Sequence, residues 1–209
     1  MLKQFYEKDK IEVGLDEAGR GCLFGPVCVG AVIWLNEDPI QDDKNYEIKD
    51  SKKVSEKKRT LLKDYIKDNS IAYSIQLIDH KDIDKYNILN ATMTGMHKCL
   101  DDITQSLSID TILVDGNHFE FYSDKDHYID HVCVVDGDNT YKSIAAASIL
   151  AKTYRDEWIQ RLVDENPELE KYDLKNNKGY GTLKHIEAIK EHGLTKWHRK
   201  TFGLCKNYK

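Results

Sequence analysis

The stretch GLDEAGRGCLFGPVCVG, residues 14–30, decides how the chain is read. It closes one apolar run on two adjacent carboxylates, Asp16 and Glu17, follows them with a glycine-flanked cation, Gly19-Arg20-Gly21, and turns at Gly25-Pro26 into a second apolar run. IEVGLD (11–16) has the β-branched content of a buried strand, and VCVGAVIW (27–34) reads as its antiparallel neighbour. Asp16 and Glu17 leave an ideal strand on opposite faces, so both address one site only if the strand ends or bulges there.

Working outward, SEKKRTLLKDYIKD (55–68) reads as a helix capped by Ser55, with Leu61, Leu62, Tyr65 and Ile66 on one face. IAYSIQLI (71–78) alternates large apolar groups at Ile71, Tyr73, Ile75 and Leu77, as a strand does. A helix follows over 88–104, then two apolar strands, TILVDG and YIDHVCVVDGD, each running out into acid and glycine. The longest helical pattern covers 142–164, with an Ala-rich side suited to close packing on a sheet. From Asn166 the chain is basic, with a short helix near 182–192. This order predicts a mixed α/β sheet with ligands at the carboxyl ends of its parallel strands. Asp16 and Asp115 stand at two such ends. If those strands pair, the carboxylates lie about 4.8 Å apart and repel unless a cation compensates. Hard oxygen donors without a Cys/His set favour Mg²⁺ or Mn²⁺ over Zn²⁺.

Composition narrows the class. With 209 residues, 40% hydrophobic and 32% charged, the chain has the make-up of a soluble globular protein with one main domain. The sequence holds no run of about 18 apolar residues and no secretory h-region at its start, so a cytoplasmic location is expected. Five cysteines without CxxC spacing argue against a disulfide framework or a zinc knuckle. The net charge is −5, yet residues 171–209 carry ten Lys and Arg against three Asp and Glu, an asymmetry that suits phosphate binding.

The string LDEAGRGCLFGPV resembles the first motif of ribonuclease HII, the prokaryotic type 2 ribonuclease H. The likeness continues in order through DSKKVSEKKR (50–59), LVDGN (113–117), GDNTYKSIAAASILAKTYRD (137–156) and KGYGTLKHIEAIKEHGLTKWHRKTF (178–202). The resemblance implies a ribonuclease H-like fold: a five-stranded mixed sheet flanked by helices, with a catalytic domain over 1–165 and a C-terminal helical extension over 166–209. It implies an endonuclease that cleaves the RNA strand of RNA/DNA hybrids and nicks duplex DNA on the 5′ side of an embedded ribonucleotide. By motif, Asp16, Glu17, Asp115 and Asp138 would hold two divalent ions. Gly19, Arg20 and Gly21 would read the 2′-hydroxyl, and Tyr180 would pack on the following deoxyribose. Lys52, Lys53, Lys152 and Lys184 are phosphate candidates. The bare residues carry less. Two adjacent acids, a Gly-Arg-Gly turn or a lone tyrosine each has a ready structural reading as well.

Before Asp138 the family usually carries a lysine, whereas this chain has Asp136, a third local anion that competes for the fourth ligand role. Asp156 is expected to pair with Arg155 or Lys152 instead. Ribonuclease HIII is the sibling alternative. The Gly-Arg-Gly motif and the early position of Asp16 favour HII, and the presence of all four acids speaks against a non-catalytic hybrid-binding protein. His185, His192 and His198 are expected as capping or surface residues. A monomer is expected, and GLCKNYK at the end carries no clear sliding-clamp motif.

Overall fold

The computed structural model describes residues 2–34, 46–48, 54–125 and 127–208. Strands β1 (Glu12–Ala18), β2 (Val27–Ile33) and β3 (Ala72–Ile78) form an antiparallel meander. β4 (Thr111–Asp115) runs parallel to β1, and β6 (His127–Val134) parallel to β4. β5 (Tyr122–Asp124) pairs antiparallel with β6 and completes the order β3-β2-β1-β4-β6-β5. The sheet thus has six strands where five were expected, because a three-residue edge strand is too short to show an alternation.

The helices are α1 (Glu56–Asn69), α2 (His80–Tyr86), α3 (Ile88–Thr104), α4 (Lys142–Glu165), α5 (Leu174–Asn177) and α6 (Leu183–His192). Ser55 caps α1, its hydroxyl accepting the Lys58 amide. Short α2, absent from the sequence reading, is capped by Asp79. α3 covers one face of the sheet, where Met96, Cys99 and Leu100 meet Val13, Leu15 and Val29.

On the opposite face α4 lies almost against the sheet backbone. A Cβ on Gly14 would come within 2.4 Å of the Ile144 nitrogen, and one on Gly30 within 2.5 Å of the Ala147 carbonyl oxygen. The Ala-rich side of α4 and these two glycines are one feature, since only small groups on both partners permit such an approach. α1 completes this layer through Leu62 and Ile66, while Leu61 is exposed. β3 departs from its expected pattern. Ile71, Tyr73 and Leu77 are exposed, and Ser74 and Ile78 are the buried positions. As an edge strand it turns Ser74 and Gln76 toward α3, where both donate to Asp102.

The C-terminal segment has its own apolar cluster, built with α4 and the β1–β2 loop: Phe24, Ile159 and Val163 meet Leu169, Tyr172 and Ile189. Within it lie His185 and His198, fully buried rather than at the surface as expected; His192 stays exposed. Backbone partners fix both tautomers. The Thr195 amide donates to His198 Nδ1 at 2.9 Å, so His198 Nε2–H donates to His185 Nε2 at 3.1 Å, and His185 Nδ1–H donates to the Tyr180 carbonyl at 2.9 Å. A further proton on His198 would go to Nδ1, where it displaces the Thr195 amide and finds only the Thr195 hydroxyl, at 2.9 Å. Burial and the neighbouring His185 accordingly pull His198 down to about 3.

Gly30→Ala is expected to lower stability by at least about 1–3 kcal/mol, read as a drop in thermal midpoint, because α4 must retreat. The histidine pair predicts acid sensitivity. His198 binds its proton more weakly folded than unfolded, so stability should fall as pH drops below 6.5, by up to about 1.4 kcal/mol per pH unit. His198→Gln should flatten that part of a urea-melt pH series, and an unchanged slope would contradict the assignment.

Candidate active site

β1 and β4 pair with Leu15 opposite Val114, so Asp16 and Asp115 follow side by side at the sheet's end. Asp16 shares the α4-facing side of β1 with Gly14. The close approach of α4 therefore brings Ser148 to it, and the Ser148 hydroxyl donates to the Asp16 carboxylate. Asp16 Oδ1 also accepts the Glu17 amide at 2.6 Å. Burial, followed by the charges of Glu17 and Asp115, pushes the Asp16 carboxyl well above the usual range. The expected end or bulge is not found on the β2 side, where the register runs on through Ala18; the pairing with β4 stops at Leu15, so Glu17 stands on the free rim beyond β4, and its charge still bears on Asp16.

Asp115 Oδ1 accepts the Gly137 amide at 2.7 Å, which ties β4 to the short turn Gly137–Asn139 carrying buried Asp138. A Cβ at 137 would come within 2.8 Å of Ile144 Cδ1 and 3.1 Å of Asp115 Oδ1, so any side chain there would have to displace them. Asp136 is exposed and left-handed at φ 58°, and its carboxylate accepts from Asn139 Nδ2 at 2.9 Å. Asp156 is buried in α4, where Lys152 takes one oxygen at 2.8 Å and Arg59 the other at 3.1 Å. Arg155 does not pair with it. Among the described residues, no three His, Cys, Asp or Glu side chains are gathered closely enough to hold a metal ion as they stand. Asp16 and Asp115 are each engaged by the protein's own donors, the Ser148 hydroxyl and Glu17 amide on one and the Gly137 amide on the other.

Beside them the loop after β1 is fastened from beneath. Arg155 is fully buried and donates to the carbonyls of Pro26 (2.9 Å), Phe24 (3.0 Å) and Lys178 (2.7 Å). Arg199, also fully buried, donates to those of Gly25 (2.8 Å) and Arg20 (2.9 Å), and burial pulls it down to about 10. Gly19 has φ 92° and a Cβ there would lie 2.0 Å from Arg155 Nε. Gly21 is different: nothing lies within 4 Å of its missing Cβ, so its backbone is open to an approaching ligand. Arg20 extends to solvent and reaches Glu17 at 3.2 Å.

The sequence model of the ribonuclease HII family matches residues 13–205. The chain belongs to the ribonuclease HII family. It is 46% identical over 204 residues to the ribonuclease HII of Bacteroides thetaiotaomicron, covering 98% of this chain and 95% of that one. The ribonuclease H2 of Pyrococcus horikoshii superposes with a TM-score of 0.70 at 22% identity, over 94% and 95% of the two chains. A ribonuclease HIII solved in complex with Mn²⁺, Bst-RNase HIII, shares the fold at TM-score 0.69 and 21% identity, over 94% of this chain and 68% of that one. As a ribonuclease HII relative, the chain is an endoribonuclease of the ribonuclease H class.

The remaining expected residues distribute around this ribonuclease. Tyr180 is half-exposed, follows Gly179, whose carbonyl accepts the Leu23 amide, and has Lys152 Nζ 5.8 Å from its ring centre. Lys184 is well exposed, 3.9 Å from Asp173. Lys52 and Lys53 lie outside the described residues. Sequence reasoning gave Arg199 and Ser148 no role and offered Arg155 only as a partner for Asp156. Arg155 left a trace: it falls on the buried stripe Ala147, Ala151, Arg155, Ile159 of α4, where a charged residue must be holding something.

The two glycines should separate on substitution. Gly19→Ala is expected to cost at least about 1–2 kcal/mol from backbone handedness alone, plus the clash with Arg155. Gly21→Ala should stay within about 0.5 kcal/mol of the parent in thermal melts. Equal losses would mean that the loop is not held as described.

Proposed function

We propose that this ribonuclease hydrolyses the RNA strand of RNA/DNA hybrids and nicks duplex DNA on the 5′ side of an embedded ribonucleotide, leaving 5′-phosphate and 3′-hydroxyl ends. The observation that carries the reading is buried Asp16 under the charges of Glu17 and Asp115, followed by the open backbone of Gly21 on a loop to which the segment of half-exposed Tyr180 is tied through the Gly179 carbonyl.

The donor set fits divalent metal. Asp16 is buried and under the repulsion of Glu17 and Asp115, a strain that a hard cation would relieve. Asp16, Glu17, Asp115 and Asp138 are assigned as the residues that would hold Mg²⁺ or Mn²⁺. Such a pair of ions supplies activation of water and charge neutralisation at the leaving oxygen. The protein's own residues account for the rest. Ser148 donates to Asp16, and the Gly137 amide ties Asp115 to the turn that carries Asp138.

Recognition falls to the neighbouring loop. A 2′-hydroxyl distinguishes RNA from DNA at a single position, and an exposed glycine lets backbone amide and carbonyl reach it. Gly19 serves by holding the loop on Arg155, Gly21 by its open approach, and Arg20 by contact with phosphate. The ring of Tyr180 suits the next, hydroxyl-free sugar. Lys52, Lys53, Lys152 and Lys184 are assigned to phosphates, and residues 166–209 to completing the substrate surface of the 1–165 domain. The activity would serve ribonucleotide excision and RNA primer removal in the cytoplasm, carried out by a monomer.

A duplex with one ribonucleotide should be nicked 5′ to it in Mg²⁺ or Mn²⁺, with all-DNA untouched and EDTA abolishing the reaction; equal cutting of all-DNA sinks the reading. Asp115→Asn and Asp138→Asn should retain binding and lose turnover by more than about 100-fold even at saturating metal. Asp136→Asn should keep most of it, and the reverse result would shift the fourth ligand to Asp136. Tyr180→Ala and Gly21→Ala should lower the junction rate more than the affinity for hybrid.

A further inference from the structure

Two strands away from the carboxylates, the same end of the sheet carries a second cationic feature. A cavity of about 480 Å³ is walled by Lys81 and Lys85 of α2 and by Lys196 and Lys200 of the C-terminal segment. Its carboxylate, Asp84, is already engaged: it accepts the Lys200 and Thr201 amides at 2.8 and 2.9 Å and the Thr201 hydroxyl at 2.6 Å. His80 in the wall is buried, and neither ring nitrogen makes a hydrogen bond. Its Nδ1 lies 3.1 Å from the Asp79 carboxylate without hydrogen-bond geometry. Lys85 and Lys196 lie against the rings of Tyr86 and Trp197, while Lys81 and Lys200 are exposed.

We infer that this cavity seats a backbone phosphate of the duplex being cleaved, a few nucleotides from the reacting bond. The inference builds on the proposed substrate and adds a site to it. Lysines gathered around one opening are point charges suited to a phosphate and carry no fork geometry for a planar carboxylate. Placement selects the nucleic-acid backbone over a free anion. Ala18 at the end of β1 pairs with Cys28, and the adjacent Val27 pairs with Ile78 at the end of β3, from which α2 follows directly. Asp16 stands opposite Gly30 and Gly30 opposite Ile75, so the cavity beyond Ile78 is on the same rim, about 10 Å across the sheet from Asp16 and about 10 Å or more further along it, several base steps on a strand. The segment 196–200 is also bound to the recognition loop: the Arg199 amide donates to the Leu23 carbonyl, and Phe24 bridges His198. A phosphate held here would fix how the duplex lies over Gly21.

The test compares Lys81→Gln/Lys200→Gln with Lys8→Gln/Lys98→Gln, which removes two exposed charges elsewhere. Each pair is placed in the Asp115→Asn background, and binding of a duplex with one ribonucleotide is followed by anisotropy from 50 to 300 mM salt. The cavity variant should bind about 3–10-fold more weakly and lose about 0.9 from the log–log salt slope, the value of one phosphate contact, with the control unchanged. In otherwise unmodified protein the cavity pair should raise KM and leave the single-turnover rate at saturating duplex as it was. Affinity and slope equal to the control overturn the inference. So does micromolar binding of inorganic phosphate that the cavity pair abolishes while duplex affinity stays constant, since the site would then serve a free anion. If unmodified protein binds the duplex and fails to nick it, the functional reading falls, and the salt slopes still decide the cavity.

Discussion

The buried guanidinium of Arg155 is the interaction on which the rest of the site depends. It sits in the core with no carboxylate partner among the described residues, where an unpaired charge is costly, and it is compensated by three carbonyls from two separate segments of chain. Those carbonyls belong to the loop that follows Gly19-Arg20-Gly21 and to the residue two before Tyr180. A single side chain thus sets the distance between the two elements proposed to read the sugar. Arg199 repeats the device from the C-terminal segment, with the carbonyls of Arg20 and Gly25. Gly19 follows as a consequence, since any side chain there would occupy the place of Arg155.

α4 joins this clamp to the carboxylates. Along one helix lie Ser148, which orients Asp16; Lys152 and Asp156, which pair with each other; Arg155; and Ile159, which packs against the C-terminal cluster. Its depth is set by Gly14 and Gly30, on which its backbone rests. A group of like charges can be kept only on a scaffold that resists relaxation, and helix-to-sheet contact without intervening side chains provides that stiffness. Asp16 and Gly14 share a strand face, so the glycine that admits the helix and the acid that the helix orients are two residues apart.

Much of this was legible in the sequence, because it depends on local pattern. Alternation and glycine-bounded acids placed β1, β2, β4 and β6, and helical periodicity placed α3 at 88–104 and α4 to within a residue. What escaped depends on contacts between distant segments. β3 presents Tyr73 and Leu77 to solvent because it is an edge, a position that its own alternation cannot reveal. β5 and α2 are too short for a period to register. His185 and His198 look like ordinary residues of a basic tail, and they are buried only because each supplies the partner that the other needs. Family likeness named the four acids; the geometry added how Asp115 and Asp138 are linked, through the amide of Gly137.

The choice of arginine over lysine at 155 follows from donor geometry. Three carbonyls from Phe24, Pro26 and Lys178 are met by Nη2, Nε and Nη1 of one rigid plane, so fixing the plane fixes all three at once. A lysine ammonium also has three donors, but on a flexible stem and around one atom, and it loses its charge more readily when desolvated. The clamp would then weaken together with the proton that holds it. A rigid planar donor keeps the loop's carbonyls pinned in three fixed directions, so the position of the reading loop rests on the geometry of one side chain.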